Sequence, residues 1–307
     1  MSRAGYRVGQ ETDDDLSLKR IKLGKGRATR RRASYDYSGI LGACIIFLVT
    51  GTAVLAPFVA PYAPTDQDLA NSLLPPLSSQ AGGRMHLLGT DDFGRDVLSR
   101  LIFGSRISLL VGFSSVLVQL GVGGSLGLTA GYYRGRADQI IMRIADIQLA
   151  VPFLVLALAV VAVLGPSLWN VILVLGVTGW VSYGRVLRGQ VLAVREQQYV
   201  EAARALGAPD LRILLTHILP NVTNSVIVIA SLEVARMIIA EASLSFLGLG
   251  VQPPTPTWGG MVAQGRNFIT VAWWIATFPG LAIFLTVLGI NLFGDWLRDL
   301  LDPTARY

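Results

Sequence analysis

Residues able to make and break bonds are few in this chain and poorly placed for it. Its two histidines, His86 and His217, fall in separate polar segments, and its one cysteine, Cys44, lies inside an apolar run. A zinc centre or an acid–base pair needs several such groups converging on one point, and none is on offer here. A lone cysteine cannot form an internal disulfide, so Cys44 reads as packing or lipid-facing filler. Lysine occurs only at positions 19, 22 and 25. A phosphate-cradling loop requires G-x-x-x-x-G-K, and the Gly24-Lys25 pair has Lys19 where the first glycine would stand, which excludes a nucleotide site of that type.

What remains is of two kinds. Asp146, Glu233, Arg236 and Glu241 are ionisable residues set within apolar stretches, and such residues are functional candidates because their desolvation must be repaid. They could line a hydrated path. The alternative is pairing inside the bundle or with a neighbouring chain, since Arg143/Asp146 and Glu233/Arg236 stand at helical i,i+3 spacing. The second feature is the stretch QYVEAARALGAPDLRILLTHILPN, from Gln198 to Asn221.

The elements that hold these groups are membrane helices. Of the 307 residues, 52% are hydrophobic and 15% charged, a composition suited to a bilayer. Apolar runs long enough to span about 30 Å of hydrocarbon cover Ile40 to Ala60, Ile107 to Ala130 and Ile269 to Phe293. Ile140 to Leu164, Leu168 to Leu187 and Val222 to Leu249 also read as spans despite their charges, giving six in an all-α polytopic membrane protein.

Basic residues set the orientation. Eight lie between Lys19 and Arg32 and five between Arg185 and Arg212, joined on the same side by Arg134, Arg136, Arg298 and Arg306. Arg84, Arg95, Arg100, Arg106 and Arg266 fall on the other. The positive-inside rule therefore places both termini in the cytoplasm. The net charge of +6 is mostly this topology signal and not a nucleic-acid surface, because the run KRIKLGKGRATRRR has no aromatic interleaving. The expected organisation is a cytoplasmic, partly disordered tail over 1–38 and a first span over 39–60. An outer segment follows over 61–106, then a five-helix core over 107–296 and a cytoplasmic end over 297–307.

Two connecting segments carry a pattern. Between spans four and five, Tyr199, Ala202, Ala203 and Leu206 fall at i, i+3, i+4 and i+7 on one helical face. Gly207 supplies a left-handed stop, Pro209 and Asp210 open a second helix, and Pro220 ends it. This describes either a protruding knob for another protein's groove or an amphipathic helix lying among headgroups. In the outer segment, GTDDFGRDVLSRLIF offers Thr90 as N-cap of an interfacial helix with Val97, Leu98, Leu101 and Ile102 along one side. Gly123 and Gly127, four apart, predict close helix packing in span two, and Pro279 predicts a kink in span six.

A resemblance separates these readings. EAARALG followed by HILP resembles the EAA loop of the membrane permeases of ABC importers. The isoleucine position of the general pattern is His217 here, a departure typical of the peptide-importer branch. HLLGTDDFGRDVLSRLIFGSRISL from His86, AGYYRGRADQIIMRIADIQLAVPFLVLALA from Ala130, EASLSFLGLGVQPPTPTWGGMV from Glu241 and NLFGDWLRDLLDP from Asn291 are similar to the second permease chain of dipeptide and oligopeptide importers. The resemblance covers roughly residues 36 to 305, five motifs in order.

That resemblance implies the type I ABC-importer permease fold, with a coupling loop over 190–220. Tyr199, Glu201, Ala202, Ala203, Leu206, Gly207 and Pro220 would then transmit movement from a cytoplasmic ATPase. It implies a homologous second permease chain, two ATPase domains or subunits, an extracytoplasmic substrate-binding protein docking on 61–106 and VQPPTPTWGG, membrane lipid around the bundle and a peptide substrate. ATP and Mg would belong to the partner subunits, with no cofactor and no catalysis in this chain. Dipeptides, longer peptides, glutathione and chelated nickel all stay open as cargo. A self-contained secondary transporter would need inverted repeats, and an intramembrane enzyme a paired nucleophile and base; neither is visible.

Overall fold

A computed structural model describes residues 37–79 and 85–301. The basic run from Lys19 to Arg32, Arg84 and Arg306 lie outside the described residues, so the expected tail has no structural account here. Helices α1 (Tyr37–Val54) and α2 (Ala56–Val59) lead into an outer segment in which β1 (Ser78–Ser79) pairs antiparallel with β2 (Met85–His86). Beyond it the described chain is helical: α3 (Val97–Tyr133), α4 (Gly135–Leu149), α5 (Phe153–Leu164), α6 (Leu168–Thr178), α7 (Trp180–Arg195), α8 (Gln198–Ala205), α9 (Asp210–Arg212), α10 (Leu219–Phe246), α11 (Trp258–Gly265) and α12 (Trp274–Leu301).

Four of these units are long and apolar enough to cross a membrane: α1, α3, the α6–α7 unit over Leu168–Arg195, and α12. The expected third span, Ile140 to Leu164, is not straight. It divides into α4 and α5, which meet at 88° and count as a fifth span only if the bent pair is one. Pro152 accounts for the break, because its ring removes a backbone donor and drives the residue before it out of helical conformation. The expected fifth span is α10, long enough at about 42 Å. It carries Glu233, Arg236 and Glu241 and is not among the four units apolar enough to count as spans.

The outer segment differs from expectation in a second way. No separate interfacial helix starts at Thr90. The Val97–Ile102 stretch is the first turn and a half of α3, which runs 37 residues, about 55 Å, without interruption. Its N-cap is Asp96, which accepts from the backbone N–H of Ser99 at 2.7 Å and from the Ser99 hydroxyl at 2.7 Å. Thr90 is instead buried, donating to the Asn71 carbonyl and accepting from the Leu74 N–H. Gly94, at φ +71°, turns the chain between the two and packs against the Asp68 backbone, a place no side chain fits. Asp and Thr side chains had several backbone groups to choose among, and tertiary contacts decided which.

Packing centres on α3. Gly123, Gly127 and Gly131 face α7 at Trp180, Gly184 and Val191, where each glycine meets backbone or Cβ atoms directly. The expected close approach at Gly123 and Gly127 is therefore realised, with the partner helix identified as α7. Val111, Val116, Leu175, Met237 and Ile238 form the main buried cluster between α3, α6 and α10. At the outer end, the Trp258 indole donates to the Leu101 carbonyl at 2.9 Å and the Trp274 indole to the Thr90 carbonyl at 3.0 Å, tying α11 and α12 to the start of α3. Cys44 is exposed on α1. Helix α12 continues through Pro279, six residues into it.

Candidate functional site

At the end of the bundle away from Thr90, the connection between α7 and α10 projects as a knob. Helix α8 ends in a Schellman arrangement: the Gly207 N–H donates to the Arg204 carbonyl at 3.0 Å and the Ala208 N–H to the Ala203 carbonyl at 3.1 Å. Gly207 takes φ +78°, the left-handed conformation anticipated for it. Val200, fully buried, anchors the helix to Leu187, Val191, Ile213 and Ile218, and Ala203 and Ala208 pack on the same cluster.

The face is thus divided differently from the simple i, i+3, i+4, i+7 stripe. Ala203 turns inward beside Val200, while Tyr199 (45% exposed), Ala202 and Leu206 (87% exposed) face outward with Glu201. An exposed leucine at the turn, next to a tyrosine and an alanine, leaves an apolar surface at the tip. Pro220 does not end a helix. Helix α9, a π-helical turn over Ile213–Ile218 and α10 follow one another unbroken, with Pro220 in the first turn of α10. Proline is accommodated there because the widened π turn before it leaves room for the ring.

Tyr132, next to last in α3, binds the knob from within. Its hydroxyl donates to the Asp210 carboxylate at 2.6 Å, and its carbonyl accepts from Arg195 Nη1 at 2.5 Å. The guanidinium groups of Arg195 and Arg204 lie 5.6 Å and 5.8 Å from its ring centroid. Beside it Arg134 pairs with Glu196, and Arg188 holds Asp138 with two hydrogen bonds. Sequence reasoning did not single out Tyr132, Arg195 or Asp138. The one available signal was a tyrosine pair at the end of a span next to Arg134, and nothing in the spacing linked it to Asp210.

The in-span charges separate into three groups. Asp146 pairs with Arg185 of α7, not with Arg143, and both members of that pair are about half exposed. Glu233 and Arg236 pair at 3.1 Å as their spacing predicts. Arg236 also reaches the Ser182 hydroxyl at 3.3 Å and stacks over the Phe153 ring at 4.8 Å. Glu241 stands apart: it is wholly enclosed between α3, α10 and α11, with the Ser245 hydroxyl donating to it at 2.7 Å and Ser108 at 3.5 Å. It exposes no surface in this chain, whereas Arg236, Asp146 and Arg185 remain about half exposed.

The end of the bundle near Thr90 carries a cap of paired side chains. Asp91 accepts from Phe93 N–H, Arg95 N–H and Arg95 Nε, and lies 3.1 Å from Arg100, all three side chains being buried. His86 pairs with Asp96 at 2.9 Å. A cavity of about 560 Å³ opens between this cap and the 250–264 loop, walled by Asp92, Arg95, Arg100, Pro254 and Gln264. The two outer segments flagged in the sequence are thus brought together.

Comparison with known proteins agrees with this architecture. Residues 123–307 match the model of the binding-protein-dependent transport system inner membrane component, and residues 26–76 match the N-terminal transmembrane domain of oligopeptide transport permease C. The chain is 48% identical to the di/tripeptide transport system permease protein DppC of Pseudomonas aeruginosa, over 89% of this chain and 90% of that one. It is 44% identical to the dipeptide transport system permease protein DppC of Haemophilus influenzae, over 87% and 90%. Identity to the glutathione transport system permease protein GsiD of Pectobacterium atrosepticum is 43%, over 90% of each chain. Among solved structures, a chain of the inward-facing MetNI methionine ABC transporter superposes with a TM-score of 0.57 at 18% identity, covering 67% of this chain and 97% of that one.

Proposed function

Because the chain belongs to the family of binding-protein-dependent transport system inner membrane components, we propose that it is the second permease chain of an ATP-driven importer of short peptides. Its nearest neighbours in function would be the dipeptide permeases it resembles at 44–48% identity. The observation that carries the mechanism is the knob: Tyr199, Ala202 and Leu206 are exposed on a short helix fixed by Val200 and a Schellman turn.

In this reading the knob sits in a groove of a cytoplasmic ATPase subunit. Two ATPases close on each other when ATP binds, the knobs travel with them, and the attached helices α7 and α10 rock the bundle between inward- and outward-open states. This chain holds no ATP; nucleotide and Mg stay in the partner subunits, and it catalyses no reaction itself. Both termini face the cytoplasm, with the knob on the same side and the Asp91 cap outside. The binding protein would dock on the outer end, where the 61–106 segment meets the 250–264 loop.

Asp146–Arg185 and the Glu233–Arg236–Ser182 cluster are the groups that would border the path shared with a homologous second permease. Both are charged, partly exposed and set in helices of the bundle, where lipid contact would be costly. The glutathione permease relative supports a second cargo, a charged tripeptide derivative.

The test is affinity purification of the tagged chain in mild detergent, with identification of what accompanies it and a peptide-stimulated ATPase assay. A second permease, ATPase subunits and stimulation by peptide-loaded binding protein are expected. A fully active homo-oligomer free of ATPase subunits would overturn the reading.

A further inference from the structure

We infer that Tyr132 is the positioning residue through which displacement of the 198–212 knob is imposed on α3. The inference rests on the reading of the knob as a coupling element and adds the route by which its movement enters the longest helix.

The knob has two arms, one entering from α7 at Arg195 and one leaving through α9 at Asp210, with Gly207 at the tip between them. Gly207 is in the left-handed region and a side chain there would meet nothing within 4 Å, so the tip itself is not wedged against the bundle. Both arms nevertheless converge on one residue. Arg195 donates to the Tyr132 carbonyl, one of the last carbonyls of α3 that no intrahelical N–H can reach. Asp210 accepts from the Tyr132 hydroxyl, a charge-assisted bond shorter than an ordinary one. Arg204 approaches the ring from α8 itself. The residue is enclosed against Leu187, Val191, Val200 and Ile213, so its ring cannot swing away when an arm moves.

Two further ion pairs lie beside these bonds. Arg134, immediately after Tyr132 and Tyr133, adopts a positive φ of 56° and pairs with Glu196 at the start of the knob. Arg188 holds Asp138 of α4. A push on either arm therefore bears on the end of α3 through its bonds to Tyr132. Helix α3 packs along its length on α7, α6 and α10, so a shift at Tyr132 is delivered to the whole bundle. Without the Asp210 bond, the outgoing arm could rock about Gly207 and leave α3 behind.

The experiment uses the whole importer reconstituted in vesicles and reads peptide taken up per ATP hydrolysed. Tyr132→Phe keeps the ring and removes only the hydroxyl; Asp210→Ala removes the acceptor from an exposed position. Each is expected to lower uptake per ATP by about tenfold, the scale of losing a hydrogen bond to a charged group, with the amount of assembled complex unchanged. The double variant should be no worse than the more severe single one, because both remove the same bond. A ratio equal to that of the unaltered importer would overturn the inference. So would a fall in complex abundance at constant ratio, which is the mark of a purely structural role. Ala202→Glu, at the exposed face, is run beside them. If it leaves uptake intact, the coupling reading itself fails and the inference falls with it. If it uncouples uptake while Tyr132→Phe does not, only the role of Tyr132 is lost.

Discussion

A Cβ placed on Gly127 would lie 2.6 Å from the carbonyl oxygen of Gly184, so these two glycines bring the backbones of α3 and α7 into contact. No real Cβ tolerates that distance from backbone, and the neighbour cannot rotate aside. Gly127→Leu is expected to destabilise the chain by about 1–3 kcal/mol or more through overpacking. Gly189, on the open side of α7, has nothing within 4 Å of an added Cβ. Gly189→Ala should be neutral or gain up to about 1 kcal/mol from helix propensity. Thermal unfolding of the detergent-solubilised protein, followed by size-exclusion chromatography, distinguishes the two; equal behaviour would mean the helices are not in contact.

Val200 of α8 and Leu206, its C-cap, should fail differently. Val200 is buried in the cluster beneath the knob, and Val200→Asp places a charge there without a partner, which should reduce the folded chain recovered from membranes. Leu206 touches little of its own chain, so Leu206→Asp should leave the amount of protein unchanged and abolish co-purification of the ATPase. Normal ATPase recovery with Leu206→Asp would remove that side chain from the docking surface.

Asp91 pairs with two buried arginines, Arg95 and Arg100. Asp91→Ala leaves both cations enclosed and also removes an acceptor for the Phe93 and Arg95 N–H groups. Removing one member of a buried ion pair costs about 3–5 kcal/mol. The expected outcome is loss of a stable fold at the outer end, seen as faster proteolysis between residues 61 and 106. Asp92→Ala, with its side chain at the cavity wall, should be far milder.

The charged groups of α10 give an uptake prediction. Arg236→Gln and Glu233→Gln alter a partly exposed cluster and should change peptide uptake per assembled complex. Glu241→Gln retains an acceptor for Ser245 and Ser108 and should leave that quantity as it was. Glu241→Leu should instead lower the amount of folded chain, because two buried hydroxyls lose their acceptor. Uptake measured against immunoblotted complex separates the cases, and a transport defect confined to Glu241→Gln would return that residue to the path.

Much of the helical order was legible because it follows from local pattern. Apolar run length located the spans, and the glycine after EAARAL marked the end of α8 through its tolerance of positive φ. The Glu233–Arg236 pair was readable from i,i+3 spacing alone. Where the reading went astray, a local group had several partners within reach. Asp146 found Arg185 on another helix instead of Arg143 on its own. Thr90 and Asp96 exchanged roles as N-cap, and Pro220 was absorbed by a π turn in place of ending a helix.

By itself the sequence determined that this is a membrane-embedded helical bundle with a glycine-stopped turn between α8 and α9, since these depend on composition, period and short-range spacing. Only the tertiary structure decided which face of the knob is free, that Glu241 is sealed inside, and that Tyr132 joins both arms of the knob. The reason is distance along the chain. Hydrogen bonds such as Tyr132 to Asp210 close over long loops, and their partners are chosen by how α3, α7 and α10 pack, a property no local pattern encodes.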